Sequence, residues 1–185
     1  ELVHSVSATS RRPRPQEIDG VHYYFKTREE FERMRDNGEL LEWDEFRENY
    51  YGTVVSDVTK KINDGKNVAL DITVPGAENV RKIYGKLATT VFLVPPSVKT
   101  LRQRLIDRQG DTVETIDKRI AFAIESELKK FEIFDYVIVN DDLDEAKKNI
   151  LDIYNAATGD EKAKAKVEVK AEKVITKKGK KAKKA

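Results

Sequence analysis

Three near-continuous apolar runs constrain this chain most: NVALDITV (67–74), ATTVFLV (88–94) and YVIVN (136–140). Short runs dense in valine and isoleucine, bounded by turn residues, read as strands covered on both faces. A further strand is expected from LVHSVSAT (2–9). Helical patterns fill the spaces between, at 28–38, 54–65, 76–87, 97–108, 112–131 and 143–157. The first two end at Gly38 and Gly65, as helices commonly do, and Ser97 after Pro95-Pro96 is placed to cap the fourth. Alternation of strand and helix predicts an α/β fold with a parallel sheet and helices on both faces. At 185 residues and 39% hydrophobic the chain can bury one core. Segment 12–53 departs from the alternation. It is polar, aromatic and turn-rich with one short helix, and reads as a lobe at the sheet edge with Phe25, Phe31 and Trp43 as its core.

Composition excludes several classes. The chain has no cysteine, hence no disulfide and no thiolate metal site. With two histidines no metal cluster is expected, and His4 and His22 read as structural or exposed. No apolar run reaches the roughly 18 residues of a membrane span, and no signal peptide is recognised; a cytoplasmic location and no membrane partner are expected. The chain opens on Glu1, which reads as a processed or truncated start. Residues 160–185 hold eleven lysines against four acids, so the net charge of +2 conceals a mildly acidic body. The lysine-rich tail, 158–185, is poor in large apolar groups and is expected to be disordered. Its other reading is weak contact with nucleic acid.

The stretch SVSATSRRPRPQEIDGVHYYF (5–25) places Arg11 and Arg14 three apart, with Pro13 and Pro15 stiffening the backbone. Arginine presents a planar fork that matches phosphate oxygens two at a time. Tyr23 and Tyr51 could each add a neutral hydrogen bond. The alternative is a solvated cluster paired with Glu17, Asp19 and Glu42. In LLEWDEFRENYYGT (40–53), Glu42 lies beside apolar residues, and a buried carboxylate needs partners. An arginine of the same segment would serve, and so would a base with two adjacent N–H donors, such as guanine. Ser7 and Thr53 could then bond the purine's other polar atoms. Further along, Arg104 and Arg108 lie one helical turn apart, RQGDT breaks the helix, and Arg119 sits on the next. That suits a flap closing over negative charge; pairing with Asp107, Asp111 and Glu114 is the alternative.

These stretches, with VPPS and VIVNDDLDEA, resemble guanylate kinase in order and spacing, without gaps from about residue 2 to 157. The resemblance implies a P-loop nucleoside monophosphate kinase-like fold over 1–157, with a GMP-binding lobe (12–53) and a mobile lid (104–119). It implies transfer of the ATP γ-phosphoryl to GMP, with Mg²⁺ accompanying ATP and no metal held by protein ligands. By the same resemblance Arg11, Arg14, Tyr23 and Tyr51 hold the GMP phosphate and Glu17 supports the arginines. Ser7, Glu42 and Thr53 read guanine, and Asp71 belongs to the GMP side. Arg104, Arg108 and Arg119 are the catalytic lid arginines, Arg108 and Asn140 lying on the ATP side.

Two departures stand out. No G-x-x-x-x-G-K-[ST] loop occurs in these residues; the family carries it on an element preceding residue 1, so the first strand and P-loop are expected to be absent and the fragment inactive alone. In LDITVPG, Thr73 and Pro75 replace an acidic residue and a glutamine of the family pattern. The second functional reading is therefore a catalytically silent guanylate kinase-like module that binds phosphopeptides.

Overall fold

A computed structural model describes residues 1–46, 48–107 and 112–159. Arg108 and the lysine-rich residues 160–185 lie outside the described residues. The chain forms two compact units, Glu1–Ala88 and a second from Thr89 onward.

The first unit runs β1 (Leu2–His4), β2 (Ser7–Thr9), β3 (Tyr24–Phe25), α1 (Arg28–Asp36), β4 (Leu40–Phe46), β5 (Asn49–Val54), α2 (Val55–Asn63), β6 (Asn67–Ala69) and α3 (Val74–Tyr84). β1 and β6 form a parallel pair, and a separate four-stranded sheet has the order β3-β2-β5-β4. Thus the strand expected over 2–9 is two strands in two sheets. The break falls at Ser5 and Val6, and Asp57 of α2 fixes it: its carboxylate accepts both the Ser5 hydroxyl and the Val6 N–H at 3.1 Å. Lys61 one turn on pairs with the same carboxylate.

The expected strand over 67–74 stops at Ala69, because Thr73 begins a helix there. Its hydroxyl accepts the Gly76 N–H at 3.3 Å, and Pro75 sits in the first turn, where a missing N–H costs nothing. Segment 12–53, expected to be turn-rich with one short helix, also contains the β4–β5 hairpin and β3. Its helix α1 opens with a reciprocal cap, in which Thr27 Oγ1 accepts the Glu30 N–H and Glu30 accepts the Thr27 N–H.

One face of the four-stranded sheet is apolar. Ala8, Tyr50 and Val54 pack there with Phe31 of α1, flanked by Tyr24, Met34 and Leu40. Gly52 is required at this contact: a Cβ would stand 2.9 Å from the Glu42 carbonyl oxygen and 3.1 Å from the Phe31 ring. Phe31 is core as expected, whereas Phe25 is half-buried and pairs with Thr9 on the other face, and Trp43 is 41% exposed. Trp43 ends a row of the sheet on the edge strand, with the Tyr50 ring edge-on at 5.8 Å and the Arg35 guanidinium lying against it.

The second unit contains β7 (Val91–Val94), α4 (Val98–Asp107), α5 (Val113–Phe122), β8 (Tyr136–Val139) and α6 (Leu143–Ala157). β7 and β8 pair in parallel from Val91↔Tyr136 to Val94↔Val139. The pair is clamped at its start: Asp135 accepts the Thr90 hydroxyl and N–H, each at 2.8 Å. Ile138 packs against Ala146, Ile153 and Ala156 of α6, whose first turn is capped by Asp142. Ser97 caps α4 as expected, accepting the Thr100 N–H at 3.0 Å. The helix expected over 112–131 is shorter. α5 ends at Phe122 and the backbone widens over Ala123–Glu127, where Leu128 N–H reaches back five residues to the Ala123 carbonyl. Across α4 and α5 the core is Leu105, Ile116 and Ile120.

Candidate functional site

Strand register assembles a polar face opposite the α1 core. Ser7 pairs with Thr53, and Thr53 pairs with Glu42, so the three form one row across β2, β5 and β4. The next row on that face is Phe25, Thr9, Tyr51 and Asp44. Side chains alternate along a strand, so residues two apart share a face. A bulge in β4 makes this possible: Leu40 pairs with Val54 and Glu42 with Thr53, with an extra residue between. Without the bulge Leu40 and Glu42 would share a face; with it Leu40 enters the core and Glu42 joins the polar row.

Glu42 is buried, at 6% exposure, and Thr53 Oγ1 donates to its Oε1 at 2.6 Å. The anticipated partner was an arginine or a ligand; the protein partner is the hydroxyl next to it in the row. Burial pushes the Glu42 carboxyl above its ordinary value, and the Thr53 bond opposes that only in part.

At the end of β2 the chain turns into the arginine segment. Arg11 Nη2 donates to Glu17 Oε1 at 2.8 Å, and the Arg14 N–H donates to Glu17 Oε2 at 2.7 Å. A single carboxylate thereby holds the Arg11 side chain and the Arg14 backbone. The Arg11 bond, then the Arg14 N–H, bring the Glu17 carboxyl down to about 2. The Arg11 guanidinium lies 5.5 Å from the centroid of the Tyr23 ring, and Tyr23 meets Tyr51 edge-on at 6.1 Å. Burial raises the Tyr23 phenol, with smaller contributions from Tyr51 and from Asp71 in the loop before α3. The alternative pairing of the arginine cluster holds for Glu17 alone. Asp19 accepts the Phe25 N–H at 2.7 Å, and Glu42 is taken by Thr53. His22 accepts the Ile18 N–H in an exposed turn.

Within the first unit, then, Ser7, Glu42, Thr53 and Tyr51 share a polar sheet face, and Arg11, Glu17 and Tyr23 cluster at its end. Arg14 is exposed beside them. Two residues escaped the sequence reading. Asp44 faces Tyr51 in the second row, a position signalled by its spacing of two from Glu42. Gly76 of α3 comes against the Glu42 carboxylate; its only signal was a glycine at the start of a helical pattern.

The second unit carries the remaining candidates. Arg104 on α4 donates to the carbonyl oxygens of Asn140 at 2.7 Å and Asp141 at 3.2 Å. Asn140 is thus beside Arg104, and the arginine holds the turn that follows β8. Of the acids in the alternative pairing, Asp107 accepts from Gln103 and Glu114 pairs with Lys118, while Asp111 lies outside the described residues. Arg119 lies on α5, and Arg102 joins α4 to Asp117 of α5 at 2.7 Å. Among the described residues no group of three or more His, Asp or Glu could hold a metal ion.

Comparison with known proteins identifies the family. The guanylate kinase family model matches residues 1–157. A guanylate kinase of Shouchella clausii is 44% identical over 155 residues, spanning 84% of this chain and 75% of the relative. One from Brucella melitensis is 41% identical over 152 residues, spanning 82% and 69%. The crystal structure of guanylate kinase from Anaplasma phagocytophilum superposes with a TM-score of 0.69 at 33% identity, covering 84% of this chain and 75% of that one. The fold is that of an α/β, P-loop nucleoside monophosphate kinase-like protein. This chain belongs to the guanylate kinase family.

Proposed function

We propose that the polar sheet face binds GMP as the acceptor of a phosphoryl group from ATP. The observation that carries this is the row Ser7–Thr53–Glu42, with its buried carboxylate, ending near the Arg11–Glu17 pair. An ionised Glu42 accepts from the two adjacent N–H donors on the guanine edge, where adenine offers an acceptor and one donor. Ser7 and Thr53 bond the purine's remaining polar atoms. Arg11, Arg14, Tyr23 and Tyr51 hold the phosphate, Glu17 fixing the arginine segment before the ligand arrives; such preorganisation reduces the entropy lost on binding. Asp71, whose charge acts on the Tyr23 phenol, belongs to the GMP side in this reading.

Arg104, Arg108 and Arg119 neutralise charge on the transferred group, and Arg108 and Asn140 serve the ATP side. Phosphoryl transfer needs positioning and charge stabilisation more than covalent help from the protein. The chain's donor set does not fit a resident metal among the described residues, so Mg²⁺ enters with ATP on its phosphate oxygens and water, as part of the substrate. Residues 1–157 act as the kinase-like domain, with 12–53 as the GMP lobe and 104–119 as the lid, in the cytoplasm. The 185 residues contain no G-x-x-x-x-G-K-[ST], and the expectation that this polypeptide transfers no phosphoryl group on its own rests on that.

Titration calorimetry with GMP and AMP tests the reading. GMP is expected to bind and AMP to bind far more weakly. Arg11→Ala is expected to weaken GMP by about 1.5–3 kcal/mol, the usual scale for a hydrogen bond to a charged group. Unchanged affinity in that variant removes Arg11 from the site. Clear GDP formation from GMP and ATP by the 185-residue chain overturns the inactivity. Equal binding of both nucleotides with tight binding of a phosphopeptide points instead to the interaction module.

A further inference from the structure

We infer that Gly76 is a positioning residue for base specificity: the bare Cα of this glycine lets the Glu42 carboxylate sit against the first turn of α3 and point along the polar row. The inference rests on the reading of Glu42 as the guanine acceptor.

Glycine is a poorer helix former than alanine, so a glycine inside α3 needs a reason. Its φ is not in the left-handed region, and the turn geometry does not demand it. The surroundings do. A Cβ on Gly76 would stand 2.5 Å from Glu42 Oε2, 3.1 Å from Glu42 Cδ and 3.3 Å from the Cβ of Ile72. Gly76 is itself buried, so the methyl has no open side to turn toward.

The carboxylate cannot step aside freely. Its Oε1 is held by the Thr53 hydroxyl at 2.6 Å, and its backbone is fixed by the β4–β5 ladder just past the bulge. A methyl at 76 therefore either swings the carboxylate out of the row, breaking the Thr53 bond, or pushes α3 away from β4. Either movement displaces the atom that must meet two donors on the base. The three atoms nearest to a Cβ at 76 belong to Glu42 and Ile72, not to the phosphate-binding groups Arg11, Tyr23 and Tyr51. The loss falls on base discrimination more than on nucleotide binding as such.

The measurement is the affinity of the full chain for GMP and for inosine monophosphate, the same nucleotide without the exocyclic amino group. The wild type is expected to prefer GMP. In Gly76→Ala the GMP-to-IMP preference is expected to fall about ten-fold or more, since a site built to accept a donor loses its discrimination when misaligned. IMP affinity and the melting temperature are expected to change much less. A purely structural role for Gly76 would lower both affinities together with the melting temperature. A preference that stays at the wild-type value overturns the inference while leaving the reading of the site intact. A wild type without preference overturns both. Should Gly76→Ala not fold, Gly76→Ala with Glu42→Ala, which removes the carboxylate that the methyl meets, is expected to fold; a double variant that stays unfolded also overturns it.

Discussion

Glu17 and Glu42 are both drawn out of water by the site, yet they titrate in opposite directions. Glu17 gains Arg11 and an N–H donor and is held near 2, below its ordinary 4.5. The folded state therefore gains from Glu17 above its ordinary value and loses that gain as pH falls toward about 2. Glu42 is raised by burial, so its contribution is intact at low pH and is lost as pH rises through its elevated value. Acid destabilisation at the site thus belongs to Glu17. Melting curves between about pH 5 and about pH 3 should show Glu17→Gln losing less stability than the wild type. Parallel losses in the two proteins would mean the carboxylate does not hold the arginine segment. At this scale the sequence was informative, since RRPRPQE announced both the arginines and an acid within reach. It could not assign Glu42 its partner. Thr53 is eleven positions away, and only the hairpin register brings it alongside.

The elements show why part of the structure was hidden. β4 and β5 put acids and hydroxyls on one face and Tyr50, Gly52 and Val54 on the other, and the bulge interrupts the period-two pattern at Leu41. A strand whose open face is a polar site looks like a loop when only apolar residues are tracked. The same masking shortened the strand expected at 67–74: Ile72 and Val74 read as strand, yet Thr73, Pro75 and Gly76 carry the helix-start chemistry. Thr73→Ala should lower stability by about 1 kcal/mol in urea unfolding, the usual worth of such a cap. No change would show that the α3 start is held by packing alone. Gly52→Ala is expected to cost more, about 1–3 kcal/mol, because the added methyl meets the Glu42 carbonyl and the Phe31 ring at once. Wild-type stability in that variant would contradict the close approach of α1 to the sheet.

For the molecule as a whole, alternation of apolar runs and helical patterns sufficed for an α/β reading. The parallel pairs β1–β6 and β7–β8 are where that alternation ran cleanest. Division of the sheets was not legible. LVHSVSAT is unbroken in composition, and its interruption is set by Asp57, which is 51 and 52 positions distant from the groups it binds. No helix among the described residues is long and apolar enough to cross a membrane.

The most direct test is a backbone-amide spectrum of the labelled chain titrated with GMP and, separately, AMP. GMP is predicted to cause saturable shifts at Ser7, Arg11, Glu42, Tyr51 and Thr53, with AMP leaving Glu42 and Thr53 unmoved. Shifts that do not saturate, or that gather away from this sheet face, would contradict the account.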